Sequence, residues 1–157
     1  MAITAALFPG QGSQSVGMGS NLHEASELSR QIFEQANKAL GFDLSTICFE
    51  GPIEKLTETS IAQPALLTVS TLCFREFQAS GKKVQIAAGH SLGEYSALVA
   101  AGVLPFEDAV ALVHKRGTYM QEAVPKGKGG MIAVMGPSEQ EISELLSQID
   151  VGVAEIA

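Results

Sequence analysis

A chain of 157 residues, 46% of them apolar, is long enough to bury one core, and a formal charge of −7 with only ten Lys and Arg argues against nucleic-acid binding, which needs clustered cations. No run approaches the roughly 20 apolar residues of a membrane helix. The opening "MAITAALFPGQG" has neither the positive start nor the long apolar stretch of a signal peptide, so a cytoplasmic protein without a membrane partner is expected.

Residues 2–8, "AITAALF", read as a buried strand stopped at Pro9-Gly10, and a glycine-rich loop, "GQGSQSVGMGS", follows. From about Asn21 to Leu40 the apolar positions Leu28, Ile32, Phe33, Ala36 and Leu40 recur at helical spacing, with Gly41 at the expected C-terminus. After a mixed segment, "DLSTICFEGPIEKLTETS", Pro64 suits the first turn of a second helix, whose Leu66, Val69, Cys73 and Phe77 form one apolar face and which Gly81 closes. Cys48 and Cys73 have no CxxC or other metal-ligand spacing and read as small buried hydrophobes, so no metal site is expected. "VQIAA" is the next predicted strand, "SLGEYSALVAA" a helix leaving it, and "FEDAVALVHKRGTYMQEAV" another. Strands alternating with helices predict an α/β fold of parallel β-α-β units, with ligands beyond the strand C-termini. "VPKGKGG", residues 124–130, reads as a linker, and "MIAVMG" as a strand. Ser138 and Glu141 then form a capping box for the helix "EQEISELLSQI", and "VGVAEIA" is a final strand-like run.

Gly89-His90-Ser91-Leu92-Gly93 matches G-x-S-x-G with an apolar strand before it and a helix after it, the context in which this motif forms a nucleophile elbow. A sharp strand-to-helix turn exposes the serine hydroxyl, and glycines two residues either side let neighbouring backbone approach. The same turn aims the Leu92 N–H at a carbonyl under attack, and the helix start adds positive potential for a developing oxyanion. A serine there can also be a simple helix N-cap. The side chain of His90, next to the nucleophile, points away on such a turn, which leaves it supporting the turn or lining the entrance. The front loop, with Gly10, Gly12, Gly17 and Gly19, contains no G-x-G-x-x-G and has Met18-Gly19 where a phosphate-binding loop needs Lys-Ser or Lys-Thr. Its expected place is beside the elbow, where a second exposed backbone N–H would complete an oxyanion hole.

Four blocks in order, "FPGQGSQ", "QPALLTVS", "GHSLGEYSALVAAG" and "RGTYMQEAV", closely resemble the malonyl-CoA:acyl carrier protein transacylases of fatty-acid synthesis and the related acyltransferase domains of polyketide synthases. The resemblance covers nearly the whole chain. It implies a parallel-sheet core like that of α/β-hydrolases over residues 1–126 and, over 127–157, the incomplete beginning of a small ferredoxin-like subdomain. It also implies ping-pong transfer of a malonyl group from malonyl-CoA, through an ester on Ser91, to the phosphopantetheine thiol of acyl carrier protein, with no cofactor. Matched motif to motif, Gln11 and Leu92 supply the oxyanion N–H groups, Arg116 holds the malonyl carboxylate, and Gln63 and His90 lie near the substrate. An arginine suits a carboxylate because its planar fork donates two parallel hydrogen bonds. Taken without the family, Arg116 beside Lys115 reads as a solvated helix-face charge.

The family's histidine base lies well downstream of these blocks, and none of His23, His90 and His114 falls at its position. The expectation is therefore the N-terminal part of a longer enzyme, inactive alone. The start at Met1 favours a discrete enzyme over a synthase domain. A serine esterase, or a non-catalytic fragment that only binds a partner, are the alternatives. Docking of an acidic carrier protein would need a local basic patch, for which Lys82, Lys83, Lys115, Lys126 and Lys128 are candidates.

Overall fold

The apolar run near the N-terminus becomes strand β1 (Ala5–Phe8), and the run before the serine becomes β2 (Ile86–Gly89). They pair in parallel, Ala5 with Ile86 through Phe8 with Gly89, in a computed structural model that describes residues 3–124 and 127–156. Parallel strands need a long crossover, and here it consists of five helices. Both strands therefore end side by side, and the segments that follow them, the glycine-rich loop and the serine turn, become neighbours.

The single helix expected from Asn21 to Leu40 is two, α1 (Ser20–Ala25) and α2 (Glu27–Leu40). Ser26 between them is extended, and its side chain accepts from the Ser29 N–H. A serine hydroxyl competes with the helix in this way and starts a new one as N-cap. Gly41 ends α2 with a positive φ of 75°. The mixed segment folds into two short helices, α3 (Leu44–Glu50), capped by Asp43, and α4 (Ile53–Leu56). Helix α5 (Thr59–Ala79) begins five residues before Pro64, which lies inside it. Its first half, from Ile61 to Thr68, is buried on every side rather than on one face. The reason is its central place: it packs against α2, against α6 (Leu92–Ala100) and against α7 (Phe106–Ala123). Phe33, Leu67, Leu92 and Val113 are among the side chains that fill this core. Cys48 is buried there, and burial pushes its thiol pKa up to about 12. Cys73, expected inside, is exposed.

The chain divides into two compact units, Met1–Pro125 and Lys126–Ala157. In the second, α8 (Glu139–Leu146) carries the expected capping box between Ser138 and Glu141. The runs expected as strands at 131–136 and 151–157 form none among the described residues, with Ala157 outside them. A strand exists only with a hydrogen-bonded neighbour. Without one, Met131, Ile132, Met135, Val151 and Val153 stay more than four-fifths exposed. The sheet of the first unit is also incompletely covered: Leu7 is 77% and Ile86 51% exposed. Among the described residues no helix is long and apolar enough to cross a membrane.

Asp43 accepts from the hydroxyls of Ser45 and Thr46 and from the Thr46 N–H, and these hydrogen bonds hold its pKa near 2, below the usual 3.8. Asp43→Ala should cost about 1 kcal/mol, read from the urea midpoint at neutral pH. Because the folded pKa is depressed, this contribution is full above the unfolded value and fades as pH falls towards about 2. The gap between variant and parent should close over that window.

Candidate active site

Ser91 stands between the end of β2 and the first turn of α6 with φ 53° and ψ −107°, the one non-glycine residue with positive φ among the described residues. Such a conformation costs about 1–3 kcal/mol and persists only where the surroundings over-determine it. Two glycines do so. A Cβ on Gly89 would lie 1.9 Å from the Gly93 carbonyl carbon, and one on Gly93 would lie 2.1 Å from the Phe8 carbonyl oxygen. The turn thus folds onto itself and onto the last residue of β1. The His90 N–H donates to the Phe8 carbonyl at 3.2 Å, and the Gly93 N–H to the His90 carbonyl at 2.9 Å.

The glycine-rich loop lies against this turn, since a Cβ on Gly10 would meet His90 Nδ1 and the His90 carbonyl oxygen, each at 2.9 Å. Ser13 Oγ donates to the Gly10 carbonyl at 2.8 Å, the Gly12 N–H donates to Gln14 Oε1 at 2.8 Å, and Gln11 Nε2 donates to Thr59 Oγ1 at 3.2 Å. Among the described residues neither the Gln11 N–H nor the Leu92 N–H donates to a protein acceptor. Leu92 opens α6, so its amide is one of the helix's unpaired N-terminal donors.

Arg116 reaches this turn from α7. Its Nη2 donates to Ser91 Oγ at 3.3 Å and its Nη1 to Gln63 Oε1 at 2.7 Å, while its Cζ lies 5.6 Å from the centroid of the Tyr95 ring. Gln63 is fully buried on α5 and turns its Nε2 to Met120 Sδ at 3.3 Å. Among the described residues no carboxylate pairs with Arg116. It is not a solvated helix-face charge: the guanidinium is half-buried and held by neutral groups beside a serine hydroxyl. Gly117 permits the approach, because a Cβ there would lie 2.5 Å from the Thr59 carbonyl oxygen.

The geometry thus brings Ser91, Leu92, Arg116 and Gln63 to one place, with His90 and Gln11 alongside. It adds Tyr95, Thr59, Gly117 and Met120, which the sequence reading did not single out. A glycine inside the helical run "KRGTYM" was the visible signal for Gly117. Tyr95 left none beyond its place on the helix after the serine. The histidines lie elsewhere: His23 packs on the rings of Phe33 and Phe49, His114 Nδ1 lies 2.7 Å from the Ser60 carbonyl oxygen, and His90 packs on Gly10. None of them hydrogen-bonds Ser91 Oγ among the described contacts. Lys82, Lys83 and Lys115 are exposed in the first unit, Lys128 is exposed in the second, and Lys126 lies outside the described residues.

Fold and site together define an α/β protein that presents a serine on a strand-to-helix elbow under an arginine. More narrowly, the chain belongs to the acyl transferase family, whose pattern, described as the acyl transferase domain, matches residues 6–155. It is 48% identical over 149 residues to the malonyl CoA-acyl carrier protein transacylase of Bacillus subtilis, covering 95% of this chain and 47% of that one. The structure of the malonyl CoA-acyl carrier protein transacylase from Coxiella burnetii superposes with a TM-score of 0.87 at 50% identity, covering 92% of this chain and 46% of that one. A malonyl-transacylase solved in complex with a type II PKS acyl-carrier protein gives a TM-score of 0.87 at 44% identity, over 94% of this chain and 48% of that one. The chain spans about half the length of the relatives it matches.

Gly93→Ala should be among the most damaging single changes in the first unit. Its Cβ would meet backbone of β1 at 2.1 Å, which no side-chain movement relieves. A loss of about 3 kcal/mol or more in urea unfolding is expected, against about 1–2 kcal/mol for Gly12→Ala, where open space surrounds the site and the positive φ of 108° is the only strain.

Proposed function

We propose that this chain carries the nucleophile and acyl-selecting half of a transferase that moves a malonyl group from malonyl-CoA to the phosphopantetheine thiol of acyl carrier protein, in cytoplasmic fatty-acid synthesis. The observation that carries the reading is Arg116, with Nη2 3.3 Å from Ser91 Oγ, Nη1 2.7 Å from Gln63 Oε1 and no carboxylate partner among the described residues. A malonyl thioester offers the two groups this arrangement lacks, a carbonyl for the serine and a free carboxylate for the arginine. An esterase would have no use for a cation there.

In this reaction Ser91 Oγ attacks the thioester carbonyl and its proton passes to a base. The oxyanion is stabilised by the N–H groups of Gln11 and Leu92, and collapse expels the CoA thiolate, which is reprotonated. The carrier thiol then attacks the Ser91 ester in the same sense, and the serine oxygen recovers a proton as it leaves. The acyl group arrives already activated as a thioester, so the chemistry uses neither metal nor organic cofactor. Gln63 keeps the guanidinium aimed at the substrate, and His90 borders the entrance. Residues 1–126 form the acyltransferase core, and 127–157 begin a ferredoxin-like subdomain in which α8 lies between two apolar segments. The base is supplied by none of the three histidines, so the 157 residues alone are expected to turn over on the order of a million-fold more slowly than a complete transacylase.

Intact mass after brief exposure of the full-length polypeptide to malonyl-CoA tests the reading: one malonyl adduct is expected, absent in Ser91→Ala. Arg116→Ala should lower the preference for malonyl over acetyl transfer by between about tenfold and a hundredfold. Equal effects on both acyl groups would sink the assignment of Arg116. Near-normal turnover by residues 1–157 alone would sink the argument about the base.

A further inference from the structure

Pro64 has no backbone N–H, so the carbonyl of Ser60, four residues earlier in α5, lacks its helical donor. His114 Nδ1 lies 2.7 Å from that oxygen. A carbonyl oxygen only accepts, so Nδ1 carries the hydrogen and donates it. A side chain from α7 thus stands in for the amide that the proline removed.

The same short stretch of α7 makes two more contacts with the first turns of α5. A Cβ on Gly117 would lie 2.5 Å from the Thr59 carbonyl oxygen and 2.7 Å from Ser60 Cα, so the backbones meet directly. Arg116 Nη1 donates to Gln63, the residue before Pro64, at 2.7 Å. Of these three contacts only that of Arg116 faces the serine. The other two fix where the arginine starts from, and of those two only His114 supplies a directional bond.

We propose that His114 is a positioning residue for Arg116: by donating its Nδ1–H to the carbonyl that Pro64 leaves open, it sets the seat of α7 on α5 and so the reach of the guanidinium to Gln63 and Ser91. This rests on the reading of Arg116 as the carboxylate site. His114 also packs its ring against Phe42 at 5.5 Å, so a purely structural role would show in any variant that disturbs that packing. The hydrogen bond can be removed separately from the ring, and the missing amide can be restored separately from the histidine.

The test is a titration of the 157-residue chain with malonate and with acetate, followed by NMR of the arginine side chains, in the parent, Arg116→Ala, His114→Phe, His114→Asn and Pro64→Ala, and in Pro64→Ala combined with His114→Phe. His114→Phe keeps a ring against Phe42 but loses the donor, and should weaken malonate binding about tenfold. His114→Asn places an amide N–H near the position of Nδ1 and should stay within about twofold of the parent. In the Pro64→Ala background, where a backbone N–H reaches the Ser60 carbonyl, His114→Phe should cost little, and the shortfall is the coupling. Imidazole nitrogen spectra should place the proton of neutral His114 on Nδ1. An equal loss from His114→Phe in both backgrounds, no loss in either, failure of Asn to rescue, or a proton on Nε2 would each overturn the proposal. If Arg116→Ala leaves malonate binding unchanged, the carboxylate-site reading fails and this proposal falls with it. If Arg116→Ala abolishes binding while the His114 variants do not alter it, only the positioning role fails.

Discussion

The site depends on one close approach, that of Gly93 to the Phe8 carbonyl at the end of β1. Parallel pairing of β1 and β2 ends both strands at the same level, and the chain must then leave β2, turn and start a helix within a few residues. It can do so only where no side chain separates the first turn of α6 from β1 and where Gly89 and Gly93 can nearly touch. Ser91 is then held at a φ that an L-residue rarely adopts, with its hydroxyl outside the turn and the Leu92 amide at the unpaired start of the helix. The glycine-rich loop leaves β1 at this same point, and Gly10 lets it lie against His90. A single set of backbone contacts therefore places Ser91 and both candidate oxyanion donors.

Electrostatics supplies the second ingredient. A half-buried guanidinium without a carboxylate partner is unfavourable unless hydrogen bonds offset its lost hydration. Gln63 and the Tyr95 face provide that support without neutralising the charge. The guanidinium is thereby left without an ion pair among the described residues. It also lies next to the one hydroxyl in a strained turn, so an anion bound there would bring whatever it is attached to against Ser91.

Helix α5 connects these two parts. Its first turns receive the side chain of Gln11 from the glycine-rich loop and the side chains of His114 and Arg116 from α7. A proline in a helix usually weakens it, and here the carbonyl it leaves open becomes an attachment point for a neighbouring helix. The middle of α5, from Ala65 to Leu72, is largely core packed with Phe33 and Val113, and its last residues, Gln78 and Ala79, are exposed. Elsewhere apolar surface is left bare: one side of the small sheet around Leu7 and Ile86, and both segments that flank α8. Sheets and strands of this kind become stable when further strands or helices cover them.

Local signals in the sequence determined a good deal. The elbow was legible because G-x-S-x-G sat between an apolar strand and an alanine-rich helix, and the capping box at Ser138 and Glu141 because its chemistry lies within four residues. Both strands of the sheet and the helices on either side of the Arg116 region followed from periodicity and glycine punctuation. The break at Ser26, the helices in the mixed segment and the early start of α5 were missed, since each depends on which of several local hydrogen bonds tertiary packing favours. The runs at 131–136 and 151–157 have the composition of strands, but a strand is made by its partner, and composition does not supply one. Only the tertiary structure decided that Arg116 faces Ser91 rather than water, that Gln63 turns its oxygen to that arginine, and that His114 meets the carbonyl opened by Pro64. These contacts join residues 25 to 54 positions apart. Their geometry is set by how closely two helices can approach, and that approach is governed by glycines whose importance lies in what they touch.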